Sequence, residues 1–342
     1  MDSERPRRGT GKSFVSAEDV ARKAGVSRSA VSRTFTRGAS VSPATREKVL
    51  AAAEALGYHV NLLARGLMQD KSNIVSLIVT DVATPHQSKM LEALTRKLQM
   101  SDKVAMVINT AGAHDGVEAA LKQTLHYRAD ATVVLSGQPP ASLIAKCLDS
   151  GQQVILLNRH YDQPGPQSVF VTNQQAAAEA FSMLSKAGCQ RLMIVGSGVG
   201  TASVMSREEA FLAAARDAGM AVEVVHATLS NYPSGAEIAR QVLARGDRPD
   251  GVFCVTDLIA CGFMDVARHE FGIAIPDEMS VVGFDDIEQA GWESYRLTTF
   301  RQPIETIAAH VVAEIDRAQP ATLSEPIRFA VETIWRNTVR RD

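Results

Sequence analysis

Three polar side chains near the amino terminus have the chemistry needed to read DNA bases. Arg28, Ser29 and Arg33 are spaced so that one short helix would present them outward. An arginine guanidinium can donate two hydrogen bonds to one guanine, which discriminates against other bases by about 1–3 kcal/mol. We therefore predict that the short helix that carries them enters a DNA major groove. The alternative is that they meet only solvent or phosphate groups.

Two short helices and a turn must position these residues. Ser16 and Asp19 are spaced as a capping pair for a first helix, which Gly25 ends. Ser27 can cap the second helix, which carries the arginines. A third helix begins at Pro43, a residue that favours the first helical position. This order predicts a helix-turn-helix domain.

The amino-terminal region is basic and the rest of the chain is acidic. Residues 1–71 contain 13 Lys and Arg against 7 Asp and Glu, whereas the remainder contains 23 against 31. This asymmetry is typical of a protein that meets a polyanion at one end only. We predict a disordered basic arm over residues 1–13 and the DNA-binding domain over residues 14–60. Three further residues are interpreted as phosphate contacts: Arg37, Thr45 and Arg46.

A second group of polar residues lies far along the chain, beside predicted strands. Arg207 begins a helix after one strand, and Asp285 directly follows another. At the carboxyl ends of parallel strands, an arginine and a carboxylate can clamp the hydroxyl groups of a small polar ligand. The alternatives are a surface salt bridge for Arg207 and a turn role for Asp285. Asp257 is interpreted as a helix cap.

An alternation of short apolar runs with helical patterns predicts an α/β fold with parallel sheets. Eight apolar runs are interpreted as strands: Ile74–Val79, Val104–Ile108, Ala131–Leu135, Val154–Leu157, Arg191–Val195, Val222–Val225, Val252–Val255 and Ser280–Phe284. Eight strands exceed the needs of one mononucleotide-binding half, so we predict two similar lobes. The chain should change lobes near residues 158–172.

Several classes of protein are disfavoured by what the sequence lacks. No stretch is long and apolar enough to span a membrane, and the amino terminus has no secretory signal. The four cysteines are scattered without metal-type spacing, which favours free thiols in a reducing cytoplasm. No nucleophile elbow, HExxH motif or phosphate loop is present. We therefore expect no cofactor and no enzymatic activity.

Residues 15–67 resemble the DNA-binding segment of the lac repressor family of bacterial transcription regulators. The resemblance rests on five segments: Asp19-Val20-Ala21, Ala24-Gly25-Val26-Ser27, Val31-Ser32-Arg33, Val41–Val49 and Leu56-Gly57-Tyr58. It implies base contacts at positions 28, 29 and 33. It also implies a hinge helix over residues 61–71 that enters the minor groove, with Ala64 and Leu67 on DNA and Leu67 as an apolar wedge. The alternative is an ordinary linker.

The resemblance continues over nearly the whole chain and implies a two-lobed, periplasmic-binding-protein-like effector domain at residues 72–342. The chain would cross between the lobes three times. The implied divisions are lobe 1 at about 72–170 and 300–326, and lobe 2 at about 171–299 and 327–342. The effector would contact Arg207 and Asp285, with Thr256, Tyr232 and Gln302 as further candidates.

The resemblance implies a homodimeric cytoplasmic repressor. It would bind a pseudo-palindromic operator under the control of a sugar or sugar derivative. Two alternatives are a small-molecule-binding module without regulatory coupling and a nucleotide-dependent enzyme. The second rests on the loop Gly196–Gly200, but its third glycine comes one residue too early for the dinucleotide fingerprint. We interpret this loop as part of the effector pocket.

Overall fold

The computed structural model describes residues 14–36, 38–61, 71–110, 115–161, 163–317 and 326–341. The chain forms two compact units, Met1–Ser72 and Asn73–Asp342. Several predicted features lie outside the described residues: the basic arm 1–13, Arg37, and Ala64 and Leu67 of the hinge.

The first unit contains three helices in the predicted order. They are α1 (Ala17–Ala24), α2 (Arg28–Thr34) and α3 (Pro43–Leu56). The predicted capping pair of α1 is confirmed, because Ser16 and Asp19 each accept a hydrogen bond from the other's backbone amide. Gly25 ends α1 in the left-handed conformation, with φ of 65°. The apolar core of this unit includes Val20, Val31 and Val49, all fully buried.

The second unit begins with a six-stranded parallel sheet in the order β11-β5-β4-β3-β1-β2. Its strands are β1 (Ile74–Val79), β2 (Val104–Asn109), β3 (Ala131–Val134), β4 (Gln153–Leu157), β5 (Gln167–Val171) and β11 (Ile327–Phe329). Helices cover both faces: α4 (Pro85–Met100) and α11 (Ile304–Asp316) pack on one, and α5 (Gly116–His126) and α6 (Ala141–Asp149) on the other. Because both faces are covered, all six residues of β1 are buried.

The second lobe contains a four-stranded parallel sheet in the order β7-β6-β8-β9. Its strands are β6 (Leu192–Ser197), β7 (Val222–Ala227), β8 (Gly251–Cys254) and β9 (Ser280–Val282). Its helices are α7 (Asn173–Lys186), α8 (Ala202–Asp217), α9 (Tyr232–Leu243) and α10 (Asp257–His269), followed by a short 3₁₀ turn at Glu288–Gly291. Three phenylalanines (Phe181, Phe211 and Phe253) form a continuous aromatic contact in its core.

The chain crosses between the two lobes three times, near residues 172, 302 and 330. Strand β10 (Thr299–Arg301) pairs with β12 (Glu332–Ile334) beside the second lobe, whereas β11 pairs with β5 in the first. Strand β10 ends at Arg301 and β11 ends at Phe329, within three residues of the approximate lobe boundaries that the resemblance implies.

The eight predicted strands are confirmed, with ends that differ by a few residues. Four strands were not predicted: β5, β10, β11 and β12. Three of these have only three residues, and β5 begins with two polar residues, so none forms a recognisable apolar run. Within the described part of the chain, none of the helices combines the length and apolar character that crossing a bilayer requires.

Candidate functional site

The exposed face of α2 carries the predicted base-contacting residues. Arg28, Ser29 and Arg33 are exposed, while Val31 on the opposite face is fully buried. Ser27 caps the helix by accepting a hydrogen bond from the Ala30 amide at 3.3 Å. The predicted orientation of α2 is confirmed, and contact of these side chains with bases stays a prediction.

Arg46, interpreted from sequence as a phosphate contact, already has a partner within this unit. Its Nη1 donates a hydrogen bond to the carbonyl oxygen of Thr34 at 3.0 Å. Thr34 is the last residue of α2, where a cation is favoured by the helix dipole. Arg46 therefore ties α3 to the carboxyl end of α2. Thr45 is half-buried and accepts a hydrogen bond from the Ser42 hydroxyl at 2.8 Å.

A cavity of about 230 Å³ lies between the two lobes of the second unit. The carboxyl ends of strands from both sheets meet there, as expected for parallel α/β sheets. Residues within three positions of these strand ends supply much of its polar lining: Thr80, Ser136, Asn158, Arg159, Thr256 and Asp285.

A buried ion pair forms the floor of the cavity on the side of the second lobe. Nη2 of Arg207 lies 3.5 Å from Oδ1 of Asp285, and both side chains are at least 90 % buried. Arg207 also donates from Nε to Oδ1 of Asn173 at 2.9 Å and from Nη1 to the carbonyl of Val255 at 2.7 Å. Its guanidinium lies 3.4 Å from the centre of the Phe284 ring. Burial lowers the pKa of Arg207, and the charge of Asp285 opposes that shift.

Gln302 and Thr256 also line this cavity. Nε2 of Gln302 donates to Oδ1 of Asp285 at 2.8 Å, so the carboxylate is held from two sides. Thr256 directly precedes α10, and its hydroxyl oxygen is buried without a hydrogen-bond partner among the described residues. The structure therefore brings together four of the five predicted effector residues: Arg207, Asp285, Thr256 and Gln302.

Tyr232, a further candidate for effector contact, is not among the residues that line the cavity. Its hydroxyl donates to Oδ2 of Asp265 at 2.6 Å, and the hydroxyl of Tyr295 donates to the same oxygen at 2.8 Å. These contacts hold Tyr232 against α10 on the outside of the second lobe. Contact of Tyr232 with the effector stays a prediction that this placement does not favour, because Tyr232 opens α9 and its distance from the strand ends depends on the packing of α9 against α10.

Asp257 does not cap α10, contrary to the sequence interpretation. It is the first residue of that helix and fully buried, and its carboxylate accepts hydrogen bonds from other elements. Oδ2 accepts from the Ile287 amide at 3.0 Å, and Oδ1 accepts from the Thr299 hydroxyl at 2.6 Å. Burial, followed by the negative charge of Asp285, raises the pKa of Asp257 to about 7.

Sequence reasoning missed two cavity residues of the first lobe, His86 and Arg159. His86 is the second residue of α4, and Arg159 lies two residues beyond β4. Nδ1 of His86 and Nε of Arg159 are both buried and have no hydrogen-bond partner in the described part of the chain. Burial lowers the pKa of His86, which favours the neutral imidazole, and it lowers the pKa of Arg159 to about 10. The position of Arg159 after a predicted strand was the available signal.

The loop Gly196–Gly200 contributes Val199 to the cavity lining, in agreement with the interpretation as a pocket loop. A dinucleotide-binding site would also need an acidic residue at the carboxyl end of a strand. The candidate, Glu223, lies near the amino end of β7 instead. Its carboxylate accepts a hydrogen bond from Nη1 of Arg245 at 2.6 Å. Among the described residues, no group of His, Cys, Asp and Glu could hold a metal ion.

Each of the two units matches a family of known proteins. Residues 16–61 match the bacterial regulatory proteins of the lacI family, and residues 181–339 match the periplasmic binding protein-like domain. The first unit thus carries a DNA-binding domain of the lacI family, and the second unit carries a periplasmic binding protein-like domain. A protein with these two domains is a DNA-binding transcriptional regulator.

Individual relatives and solved structures match most of the chain. The HTH-type transcriptional regulator GalS of Salmonella typhimurium is 29 % identical over 297 residues, which cover 86 % of this chain and 87 % of GalS. The lac repressor dimer bound to operator and the anti-inducer ONPF matches with a TM-score of 0.82 at 21 % identity, covering 95 % of this chain and 99 % of that one. A CelR–cellobiose complex matches with a TM-score of 0.66 at 23 % identity, covering 95 % and 99 %. The two structural likenesses show the fold, and the curated relative is a regulator rather than an enzyme.

The raised pKa of Asp257 predicts a pH-dependent contribution to stability. Since the folded chain holds this proton more tightly than the unfolded chain, the contribution of Asp257 to the free energy of unfolding falls as pH rises from about 4 to 7. The limiting slope is about 1.4 kcal/mol per pH unit. Asp257→Asn removes this slope, so the stability of the variant relative to wild type should rise with pH over that window. Urea unfolding followed by the fluorescence of Trp292 and Trp335 measures it.

Asp277→Asn, at an exposed carboxylate of the same lobe, is the matched control and should leave the slope unchanged. A difference between Asp257→Asn and wild type that stays constant from pH 5 to 8 would contradict the assignment.

Proposed function

We propose that this protein is a homodimeric repressor of the bacterial cytoplasm whose operator affinity is set by a sugar or sugar derivative bound between the lobes. The observation that carries the proposal is a set of unsatisfied polar groups in one cavity. His86, Arg159 and Thr256 each place a buried, unpartnered polar atom among the residues that line it. Buried polar atoms normally have partners, so their convergence favours a polar ligand as the partner.

The chemistry of the cavity favours a ligand with several hydroxyl groups. Arg207 offers only donors and Asp285 only acceptors, and they lie side by side. A hydroxyl group can donate to one and accept from the other, so neighbouring hydroxyls of a sugar fit both. Apolar residues such as Met90, Val204 and Leu258 line the same cavity and can contact the carbon face of a ring. The cellobiose bound to the structurally similar CelR supports this class.

The ligand would bridge the two lobes and so act on their relative position. Asn173, the first residue after the first crossing, accepts from Arg207 and lies 3.5 Å from Oδ1 of Asn158 in the first lobe. Gln302 lies at the second crossing and donates to Asp285. Arg207 and Asp285, which would contact the ligand, are therefore hydrogen-bonded to residues at two of the crossings between the lobes. Ligand binding can shift the lobes by way of these contacts, and allosteric coupling of this kind is typically about 1–3 kcal/mol.

Exposed apolar side chains on one edge of each sheet support dimerisation. Val104 and Val107 of β2, the edge strand of the first sheet, are exposed. Val224 of β7, the edge strand of the second sheet, is exposed as well. Unpaired edges with apolar side chains are favourable surfaces for another chain. A second copy of this chain would cover both edges and present two α2 helices to two operator half-sites.

Arg28→Ala tests the DNA-reading face. Wild type and variant are each used to select binding sites from random duplex DNA. The variant should lose its preference at one base pair per half-site, and its affinity for the wild-type site should fall by about 1–3 kcal/mol per half-site. Affinity for unselected DNA should change little.

Arg22→Ala removes the same charge from the exposed face of α1 and is the matched control. Equal losses of affinity on selected and unselected DNA would show that Arg28 contacts phosphate alone.

Asp285→Asn tests the effector site with little change in shape. Ligands are first found by a thermal-shift screen of sugars, sugar acids and purines, in which 100 times the dissociation constant adds about 2.7 kcal/mol of stability. The wild-type repressor should change its operator affinity with a hit, and the variant should bind operator normally but ignore the hit at the same concentration. Asparagine retains one acceptor oxygen but loses the charge that faces Arg207.

Asp286→Asn is the control for general destabilisation, because Asp286 accepts from Arg301 and Arg336 and does not line the cavity. A normal response in Asp285→Asn would place the effector elsewhere.

A further inference from the structure

Arg159 is a buried arginine without an anionic partner. It is 6 % exposed, and the described residues provide neither a salt bridge nor a hydrogen bond to its guanidinium. Arg207, the other arginine of the cavity, has Asp285, Asn173 and the Val255 carbonyl as partners. Burying a cation without compensation is costly, so arginine is rarely buried unless it is paired. Arg159 therefore has the properties of a side chain whose partner is a ligand.

Among the described residues, no carboxylate beside Arg159 is available to neutralise it. Asp285 already accepts from Arg207 and Gln302, and Asp81 is an exposed residue whose carboxylate accepts from the Ala83 amide. Arg159 also lines a smaller recess beside the cavity, together with Gln138, Tyr161 and other residues. None of the residues described around that recess is acidic. Within the described residues, the first-lobe wall of the cavity thus carries one positive charge without a carboxylate beside it.

We propose that the effector is an anion, with a carboxylate or phosphate group that binds Arg159. This inference rests on the proposed function and specifies its ligand class. The hydroxyl groups of the ligand would meet Arg207 and Asp285 in the second lobe, and its anionic group would meet Arg159 in the first. The planar guanidinium of arginine matches carboxylate and phosphate oxygens in two parallel hydrogen bonds. A sugar acid and a sugar phosphate share this chemistry.

Because the charged groups lie in different lobes, the anionic group of the ligand can influence how the lobes are arranged. Arg159 follows β4 of the first lobe, whereas the Arg207–Asp285 pair belongs to the second. A neutral sugar can satisfy the second lobe alone. An anionic sugar also neutralises Arg159 in the first lobe, so it binds most tightly when both lobes contact it at once. The charge on the ligand would therefore favour the arrangement of the lobes in which the cavity is closed around it.

The test compares acidic and neutral probes of the same carbon skeleton on the full-length chain. The carboxylate arm uses D-glucuronate against D-glucose and D-galactonate against D-galactitol, and the phosphate arm uses D-glucose 6-phosphate against D-glucose. Calorimetry gives the affinities, and an operator-binding assay gives the response. At least one acid should bind wild type about 10- to 100-fold more tightly than its neutral counterpart, since a hydrogen-bonded charge contributes about 1.5–3 kcal/mol.

Arg159→Gln should abolish this preference by weakening the acid alone, and Arg159→Lys should retain part of it. The thermal midpoint of ligand-free Arg159→Gln should equal or exceed that of wild type, because the variant no longer buries an unpaired cation. The thermal midpoint separates the two roles of Arg159, because loss of a structural contact would lower it and loss of a ligand contact would not. Arg328→Gln, at an exposed arginine of the same lobe, is the matched control. The arm in which the acid binds identifies carboxylate or phosphate as the ligand group.

Three outcomes would overturn the inference. Neutral probes that bind and alter operator affinity while no acid does so would contradict it but support the proposed function. A preference for acid that survives in Arg159→Gln would remove Arg159 from the site. Binding of no probe in either arm, with operator affinity unchanged, would count against both the inference and the proposed effector control.

Discussion

The buried pair of Arg207 and Asp285 is the interaction on which the second unit of this regulator depends. Each of its two side chains is fixed by a residue at a crossing between the lobes, Asn173 for the arginine and Gln302 for the carboxylate. Removing one partner of such a pair leaves a buried charge and costs about 3–5 kcal/mol. A ligand that contacts the pair therefore acts on groups whose positions are set by both lobes. The same geometry explains how a small molecule can influence distant elements.

Two carboxylates, those of Asp257 and Asp286, hold the loop that carries Asp285. Asp285 itself has φ of 118°, a conformation that side-chain-bearing residues seldom adopt. Asp257 accepts from the Ile287 amide just beyond it, and Asp286 accepts from Arg301 and Arg336. These contacts join the loop after β9 to α10, β10 and the residues beyond β12. The loop is thus fixed from several directions, and these contacts hold Asp285 in its strained conformation.

Much of the fold was predictable because its signals are local. Helix caps at Ser16, Ser27 and Ser42 and apolar runs such as Ile74–Val79 depend only on neighbouring residues. Strand-end positions also gave Arg207 and Asp285, because parallel strands must end at one edge. The position of Tyr232 and the partners of Asp257 depend on packing between distant segments, so the sequence did not show that Tyr232 lies off the cavity or that Asp257 does not cap α10. Arg159 was missed for the same reason, since sequence does not show that a charged side chain is buried and unpaired. Contacts of Ala64 and Leu67 with DNA remain predictions outside the described residues.

The central claim is that the cavity and the operator-binding helices are coupled in one thermodynamic cycle. The direct test measures two ratios on the full-length protein at one salt concentration: operator affinity with and without saturating effector, and effector affinity with and without saturating operator. Coupling requires these ratios to be equal, and a value of about 5- to 150-fold is typical. Equal ratios in that range would support the account. An effector that binds the cavity with the same affinity whether or not operator is bound would contradict it.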